Sequence, residues 1–181
     1  MIENPVIIAG FPGSALPMNA FVIDAFEFCR LKERRQGEIS VANSARLSDE
    51  CVDKSAVLSW SIEGGTSGLG FAQLMLSVSG SVSLLCQRCL TPCTFDIASE
   101  SILILAKDDA HADEIEAMLN DDTIDVIVGS KTLNVVALVE DEALLAMPLS
   151  AKHEVCPNVA ALEALKGVKK SSPFDVLKRL S

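Results

Sequence analysis

Hydrophobic and polar positions alternate most clearly from Gln73 to Leu84, where Leu74, Leu76, Val78, Val82 and Leu84 take the even positions and Gln73, Ser77, Ser79, Ser81 and Ser83 the odd ones. A period of two belongs to a strand with one face in the core. From the end of the glycine loop to Cys86 the segment is about sixteen residues long, beyond usual strand length, and Gly80 in its middle predicts a bend or bulge. Ala56, Leu58, Trp60 and Ile62 alternate in the same way with Val57, Ser59, Ser61 and Glu63. The pattern resumes from Thr94 to Ala106 with Phe95, Ile97, Leu103 and Leu105, and Ile124 to Val128 reads as one more short strand. The glycine-rich run Gly64 to Gly70 leads from one alternating segment into another, whereas a phosphate cradle leads into a helix N-terminus. It is read as a strand connection.

Helical signals flank these strands. Asp24 to Gly37 begins with a capping residue, ends in the basic knot Arg30 to Arg35 and stops at glycine, which predicts a short amphipathic helix. Ser40 to Ser48 predicts a weaker one. The acidic stretch from Asp108 to Asp122 reads as a loop. From Thr132 a helix must stop before Pro148, and at 100° per residue Val135, Leu138, Val139, Leu145 and Ala146 share a stripe that also contains Glu142. A carboxylate there needs water or a partner. One expectation is that its head reaches solvent, and the other is that it accepts from Arg88 or a backbone group. Asn158 to Lys166 and Pro173 to Leu180 predict two further helices, the second docking on a tether. The whole predicts an α+β fold: an antiparallel meander, barrel-like if it curls far enough, with flanking helices. Residues 1–156 form a single domain in this reading, and 157–181 a C-terminal helical segment with its docking helix.

Composition narrows the chemistry. The 181 residues suit one self-sufficient core. The net charge of −10 disfavours coating of nucleic acid through a broad positive surface. Charge is segregated: from Asp96 to Leu145 thirteen acids face Lys107 and Lys131, while Lys166, Lys169, Lys170, Lys178 and Arg179 gather at the end. No run predicts a membrane span, and the N-terminal residues lack the basic start of a secretory signal. A cytoplasmic location is expected, where thiols stay reduced.

Half of the six cysteines fall within Cys86-Gln-Arg-Cys89-Leu-Thr-Pro-Cys93, between two alternating segments. The octapeptide is therefore placed at a hairpin tip. Cys86 and Cys89 have the spacing of a zinc half-site, and His153 with Cys156 repeats the same gap. Together the two pairs would complete a tetrahedral set. Cys93 follows too closely to be sure of converging, Cys29 and Cys51 suit packing, and His111 suits an exposed surface. A thiol redox pair is the competing reading, but such pairs sit at a helix N-terminus in a parallel setting. No nucleophile elbow, Walker loop or His-Glu-x-x-His is present, so no enzyme is expected.

Four features in order, Cys86-Gln-Arg-Cys89, Leu138-Val-Glu-Asp-Glu142 with Leu144-Leu-Ala-Met-Pro148, His153 with Cys156, and Pro173-Phe174 with Leu177, resemble the YceD family of large ribosomal RNA subunit accumulation proteins. The resemblance runs from about Leu74 to the C-terminus. It implies a non-enzymatic bacterial or plastid factor for synthesis, processing or stability of 23S rRNA, with a Cys-x-x-Cys pair that binds metal or nucleic acid. Cys86 and Cys89 match that pair, and Glu140, Asp141 and Glu142 match the acidic signature; Cys93 lies outside the pattern. The expected partners are 23S rRNA or ribosomal proteins of the pre-50S particle, and neither a membrane nor a small-molecule substrate. Arg88, Glu140, Asp141 and Glu142 are the candidate binding residues. Zinc is the one cofactor these residues could hold, the other reading being reduced, buried thiols with a surface His153 and no cofactor; a structural zinc module or a thiol redox protein using Cys86 and Cys89 is the alternative function. With few aromatic residues for base stacking, protein-mediated or mixed contact is favoured over direct readout.

Overall fold

The computed structural model describes residues 21–119, 121 and 124–157. The predicted helices beyond Asn158 lie outside these residues. Alternation produces strands where it was expected, in β3 (Val57–Thr66), β4 (Ala72–Leu85) and β5 (Pro92–Ala106). With β2 (Arg34–Ser40) and β6 (Asp125–Val128) they form one sheet in the order β2-β3-β4-β5-β6. Its pairs are antiparallel except the last, where β6 runs parallel to β5. The sheet is open, with β2 and β6 at its edges, and does not close into a barrel. The two-residue strands β1 (Val22–Ile23) and β7 (Leu133–Asn134) pair separately.

The first helix is shorter than its sequence suggested. Asp24 caps α1 (Ala25–Leu31) by accepting from the Glu27 N–H at 3.1 Å. The helix ends where Lys32 turns left-handed at φ 53°. Lys32 N–H then reaches the Cys29 carbonyl and Glu33 N–H the Phe28 carbonyl, both at 3.1 Å, the paired bonds of a Schellman ending. The chain is thus free to extend, and Arg34 and Arg35 stand on β2 rather than on a helix. Gly37 is no helix stop: it lies opposite Trp60, whose ring would stand 2.9 Å from any added Cβ.

Gly64 on β3 is where α1 lies closest to the sheet. A Cβ there would sit 2.6 Å from the Phe28 carbonyl oxygen and 2.9 Å from Cys29 Cα, and backbone cannot swing aside as a side-chain tip does. Gly64→Ala is expected to destabilise the protein by about 1–3 kcal/mol, seen as a lower denaturation midpoint. An unchanged midpoint would show that α1 does not press on β3. Gly80, expected to make a bulge, leaves the ladder unbroken, with Ser79 opposite Ala98, Gly80 opposite Ile97 and Ser81 opposite Asp96. Its φ of 152° and the Leu58 methyl 2.7 Å from a notional Cβ explain the glycine as a close approach.

Two helices cover opposite faces. Asn134 caps α4 (Val135–Ala146), accepting from the N–H groups of Val136 at 3.0 Å and Ala137 at 3.3 Å. The helix packs against β4 and β5. Val135, Val139 and Ala143 are fully buried in the same core as Leu58, Ile62, Leu76 and Val78. Leu145, expected in the buried stripe, is exposed, because the contact face is turned toward the small Ala143. The acidic run is not a loop: it contains α3 (Asp109–Leu119), which sets Ile115 against Ile104 and Ala106 in a second, smaller core. Asp108 caps it through the His111 N–H at 2.8 Å, and His111 Nδ1 accepts from Lys107 N–H at 3.2 Å. The remaining short segments are a 3-10 turn at Val41–Asn43 and α2 (Ala45–Glu50). No described helix is long and apolar enough to cross a membrane.

Candidate metal centre

The β4–β5 ladder continues to Leu85 opposite Pro92, so Cys86 to Thr91 form the hairpin turn. Cys86 N–H donates to the Thr91 carbonyl at 3.0 Å and Leu90 N–H to the Cys86 carbonyl at 2.9 Å, with Leu90 left-handed at φ 56°. This tight turn brings Cys86 and Cys89 back toward each other. The segment after α4 is laid across the turn by two contacts: Gln87 N–H donates to the Ala151 carbonyl at 2.9 Å, and Arg88 Nη2 donates to the carbonyls of His153 and, at 3.3 Å, Glu154. Arg88 is therefore a brace between the two halves of the site.

Cys86 Sγ, Cys89 Sγ, Cys156 Sγ and a His153 ring nitrogen all lie within 4.8 Å of one another. Cys86 Sγ is 3.9 Å from Cys156 Sγ, and Cys89 Sγ is 3.4 Å from His153 Nδ1. Bond lengths of about 2.3 Å to sulfur and about 2.0 Å to nitrogen put the ligand atoms of a tetrahedral zinc roughly 3.5–3.8 Å apart. The two measured separations fit that size. The tautomer fits as well: His153 Nε2 is 3.0 Å from the Pro92 carbonyl, which can only accept, so Nε2 carries the proton and Nδ1 offers its lone pair inward. Such an outer hydrogen bond is how metal-binding imidazoles are oriented.

The thiols are electrostatically unequal. Burial opposes ionisation of Cys86, yet the backbone N–H groups of His153, Cys89 and Arg88 and the Cys89 thiol hold its pKa down to about 5. The Thr91 hydroxyl, 3.1 Å from Cys89 Sγ, lowers that thiol's pKa. Burial and then the neighbouring Cys89 and Cys86 push Cys156 up to about 11. Hydrogen bonding to the Cys86 and Cys89 sulfurs raises His153 despite partial desolvation. The lowered pKa values of Cys86 and Cys89 ease the proton loss that binding a divalent cation requires, whereas at Cys156 the metal itself must displace the proton.

The other candidates lie elsewhere. Cys93 is buried, with its Sγ 3.5 Å from the Leu84 carbonyl, and Cys29 bonds the Gln73 carbonyl at 3.1 Å. His111 is on α3. Glu140 and Asp141 do not approach the turn: Glu140 accepts from the N–H groups of Arg46 at 3.0 Å and Leu47 at 3.2 Å and from the Arg46 guanidinium at 2.9 Å, while Asp141 takes the other end of that guanidinium. Glu142 accepts from the Ser99 hydroxyl, not from Arg88. Sequence reasoning missed Arg46, Thr91 and the Pro92 carbonyl. The Thr-Pro pair inside the cysteine octapeptide was the available signal for the last two.

Fold and centre together define an α+β protein with a Cys3His cluster at the turn of its longest hairpin. The chain belongs to the YceD family: residues 74–181 match the family described as large ribosomal RNA subunit accumulation protein YceD. That span contains all but the first two residues of β4, the whole of β5 and all four clustered residues, and leaves α1, β2, α2 and β3 outside. No curated protein and no solved structure matches the chain.

Proposed function

We propose that this protein is a non-enzymatic accessory factor for 23S rRNA accumulation in large-subunit biogenesis, and that Cys86, Cys89, His153 and Cys156 hold a structural zinc. The convergence of four ligand atoms from two segments more than sixty residues apart carries the zinc reading, and family membership carries the ribosomal one. The metal would supply cohesion and no reaction chemistry: it would fasten the segment leading to the C-terminal region onto the rigid hairpin. The lowered pKa values of Cys86 and of the partly exposed Cys89 favour the redox alternative, but Cys86 is one corner of a four-ligand set closed by His153 and Cys156, which a dithiol redox pair does not need. Its turn also joins antiparallel strands.

Among the described residues, Arg30 pairs with Glu27, Arg35 with Glu33, Arg46 with Glu140 and Asp141, and Arg88 with the two backbone carbonyls. These four arginines are engaged within the chain and the net charge is −10, which favours association through ribosomal proteins over a broad basic RNA-binding face. Crosslinking in cells with sequencing of bound RNA, alongside pull-down of tagged protein, tests the ribosomal reading. Enrichment of 23S rRNA or of pre-50S particles over a mock control is the expected result; failure of both refutes it.

Zinc affinity is expected to fall with pH, by about tenfold per unit for each proton that binding displaces. The sign follows from the thiols and imidazole: protons compete for the same lone pairs. Because the proton affinity of His153 is raised above that of a free imidazole, competition there starts above the ordinary histidine range. A chromophoric chelator titrated from pH 8 to pH 5 reads the release. Affinity independent of pH would exclude this ligand set.

A further inference from the structure

One edge of the sheet is left open between two caps. In an antiparallel ladder successive residues turn their N–H and C=O groups alternately to the two neighbours. The Cys86–Thr91 bond sets the phase, so Cys93, Phe95, Ile97, Ser99 and Ser101 bond to β4, and the main-chain groups of Thr94, Asp96, Ala98, Glu100 and Ile102 face the opposite edge. Two contacts agree with this phase: the Pro92 carbonyl accepts from His153, and the Ala106 carbonyl accepts from Gly129 N–H. β6 covers the edge only from Leu103 onward. Between His153 and β6, no described segment pairs with residues 94–102.

The same five residues carry exposed side chains, Asp96 and Glu100 among them. Asp96 also accepts from the Ser81 hydroxyl. A shallow open depression lined by Ser77, Ser79, Ala98 and Glu100 lies midway along. An unprotected edge is a template for another strand, and its charge selects which one. A second copy added antiparallel about Ala98 would set Asp96 against Glu100 of its mate, and like charges directly opposite are destabilising. A basic strand meets the opposite situation. The sheet's other edge strand, β2, carries Arg34, Arg35 paired with Glu33, and a single acid, Glu38, and so offers no matching pair of carboxylates.

We propose that the β5 edge at residues 94–102 binds an extended, basic polypeptide segment by strand addition, main-chain bonds supplying affinity and Asp96 and Glu100 the preference for lysine or arginine at alternate positions. The window spans roughly 27 Å at about 3.4 Å per residue, enough for a peptide of about eight or nine residues. This deepens the reading above, on which it rests for the biological setting, by giving the protein partner a chemistry.

The test uses full-length protein and a ten-residue peptide of alternating lysine and threonine, with a glutamate–threonine peptide as control. The lysine peptide is expected to bind at least about tenfold tighter than the control, more weakly at higher salt, and to slow hydrogen exchange at the Thr94, Asp96, Ala98, Glu100 and Ile102 amides. Ala98→Pro removes a donor from the free edge but none from the β4 ladder. It should weaken binding by about tenfold or more. Asp96→Lys with Glu100→Lys leaves the backbone intact and should reverse the preference between peptides. Equal binding by wild type and Ala98→Pro would overturn the proposal, and so would amides already protected in the free protein, whether by the chain itself or by a second copy seen in sedimentation. In cells, pre-50S association by wild type but equally by Ala98→Pro refutes the edge alone; no association by wild type refutes the ribosomal reading, leaving the peptide result to stand or fall separately.

Discussion

Purified without chelator, the wild-type protein is expected to carry one zinc per chain, and Cys86→Ser and Cys89→Ser to carry little or none. Their loss of stability should exceed that of Gly64→Ala. Metal bound to the folded state contributes RT ln(1 + [L]/Kd), about 4 kcal/mol where free zinc is about a thousand times Kd, and a shift of that size lowers the melting temperature by roughly 8–16 °C in a domain this large. Cys93→Ser is the contrast: Cys93 is buried close to the cluster, yet its thiol faces the Leu84 carbonyl. It should retain zinc. Because a serine in the core is also unfavourable, the informative readout is how far each variant still responds to chelator. Wild type and Cys93→Ser should lose stability on chelation, while Cys86→Ser and Cys89→Ser should not.

The second large effect is expected from Glu140→Ala. Ser44, at the capping position of α2, turns its hydroxyl back to the Ser40 carbonyl at 3.1 Å and caps nothing. The carboxylate of Glu140, on α4, supplies the missing acceptor for the first N–H groups of α2, next to the fully buried Leu47. Removing it leaves those donors without a partner and is expected to destabilise by about 2–3 kcal/mol. Glu140→Gln keeps an amide oxygen for the N–H groups and loses the ion pair, so it should cost about 1 kcal/mol or less. Asp141→Asn touches only the half-exposed end of Arg46 and should change stability by under about 0.5 kcal/mol. Urea midpoints of the three variants give the order. Equal effects for Glu140→Ala and Asp141→Asn would mean that the contact is an ion pair and not a cap. The outcome bears on function too, since two of the three acidic residues set down from family resemblance as a binding surface hold α2 to α4.

The long strands were legible because their alternation is set by a single buried face, and a face of that extent tolerates few exceptions. The octapeptide was legible as a turn for the same reason: it interrupts two matched alternating runs. The end of α1 was not. Its basic run continues the helical pattern, and the left-handed Lys32 is held in place by β2, where Arg34 to Ser40 find partners in β3 that no local signal announces. α3 escaped because only Ile115 among its eleven residues is fully buried, too little apolar periodicity to outweigh the acids. Four-residue β6 could be recognised as a strand, but its parallel pairing with β5 depends on α3 crossing the sheet between them. At the centre, equal spacing singled out Cys86, Cys89, His153 and Cys156. The partners of Glu140 and Glu142 could not be read in this way, because Arg46 is 94 residues away and Ser99 43, and nothing in either neighbourhood marks them.

If one tetrahedral metal ion fastens the hairpin turn to the distant segment, X-ray absorption at the zinc edge of the full-length protein shows it most directly. Three sulfur neighbours at about 2.3 Å and one nitrogen at about 2.0 Å, with the nitrogen lost in His153→Ala, is the predicted result. A shell dominated by oxygen, or protein that takes up no zinc while its four cluster residues are intact and reduced, would contradict it.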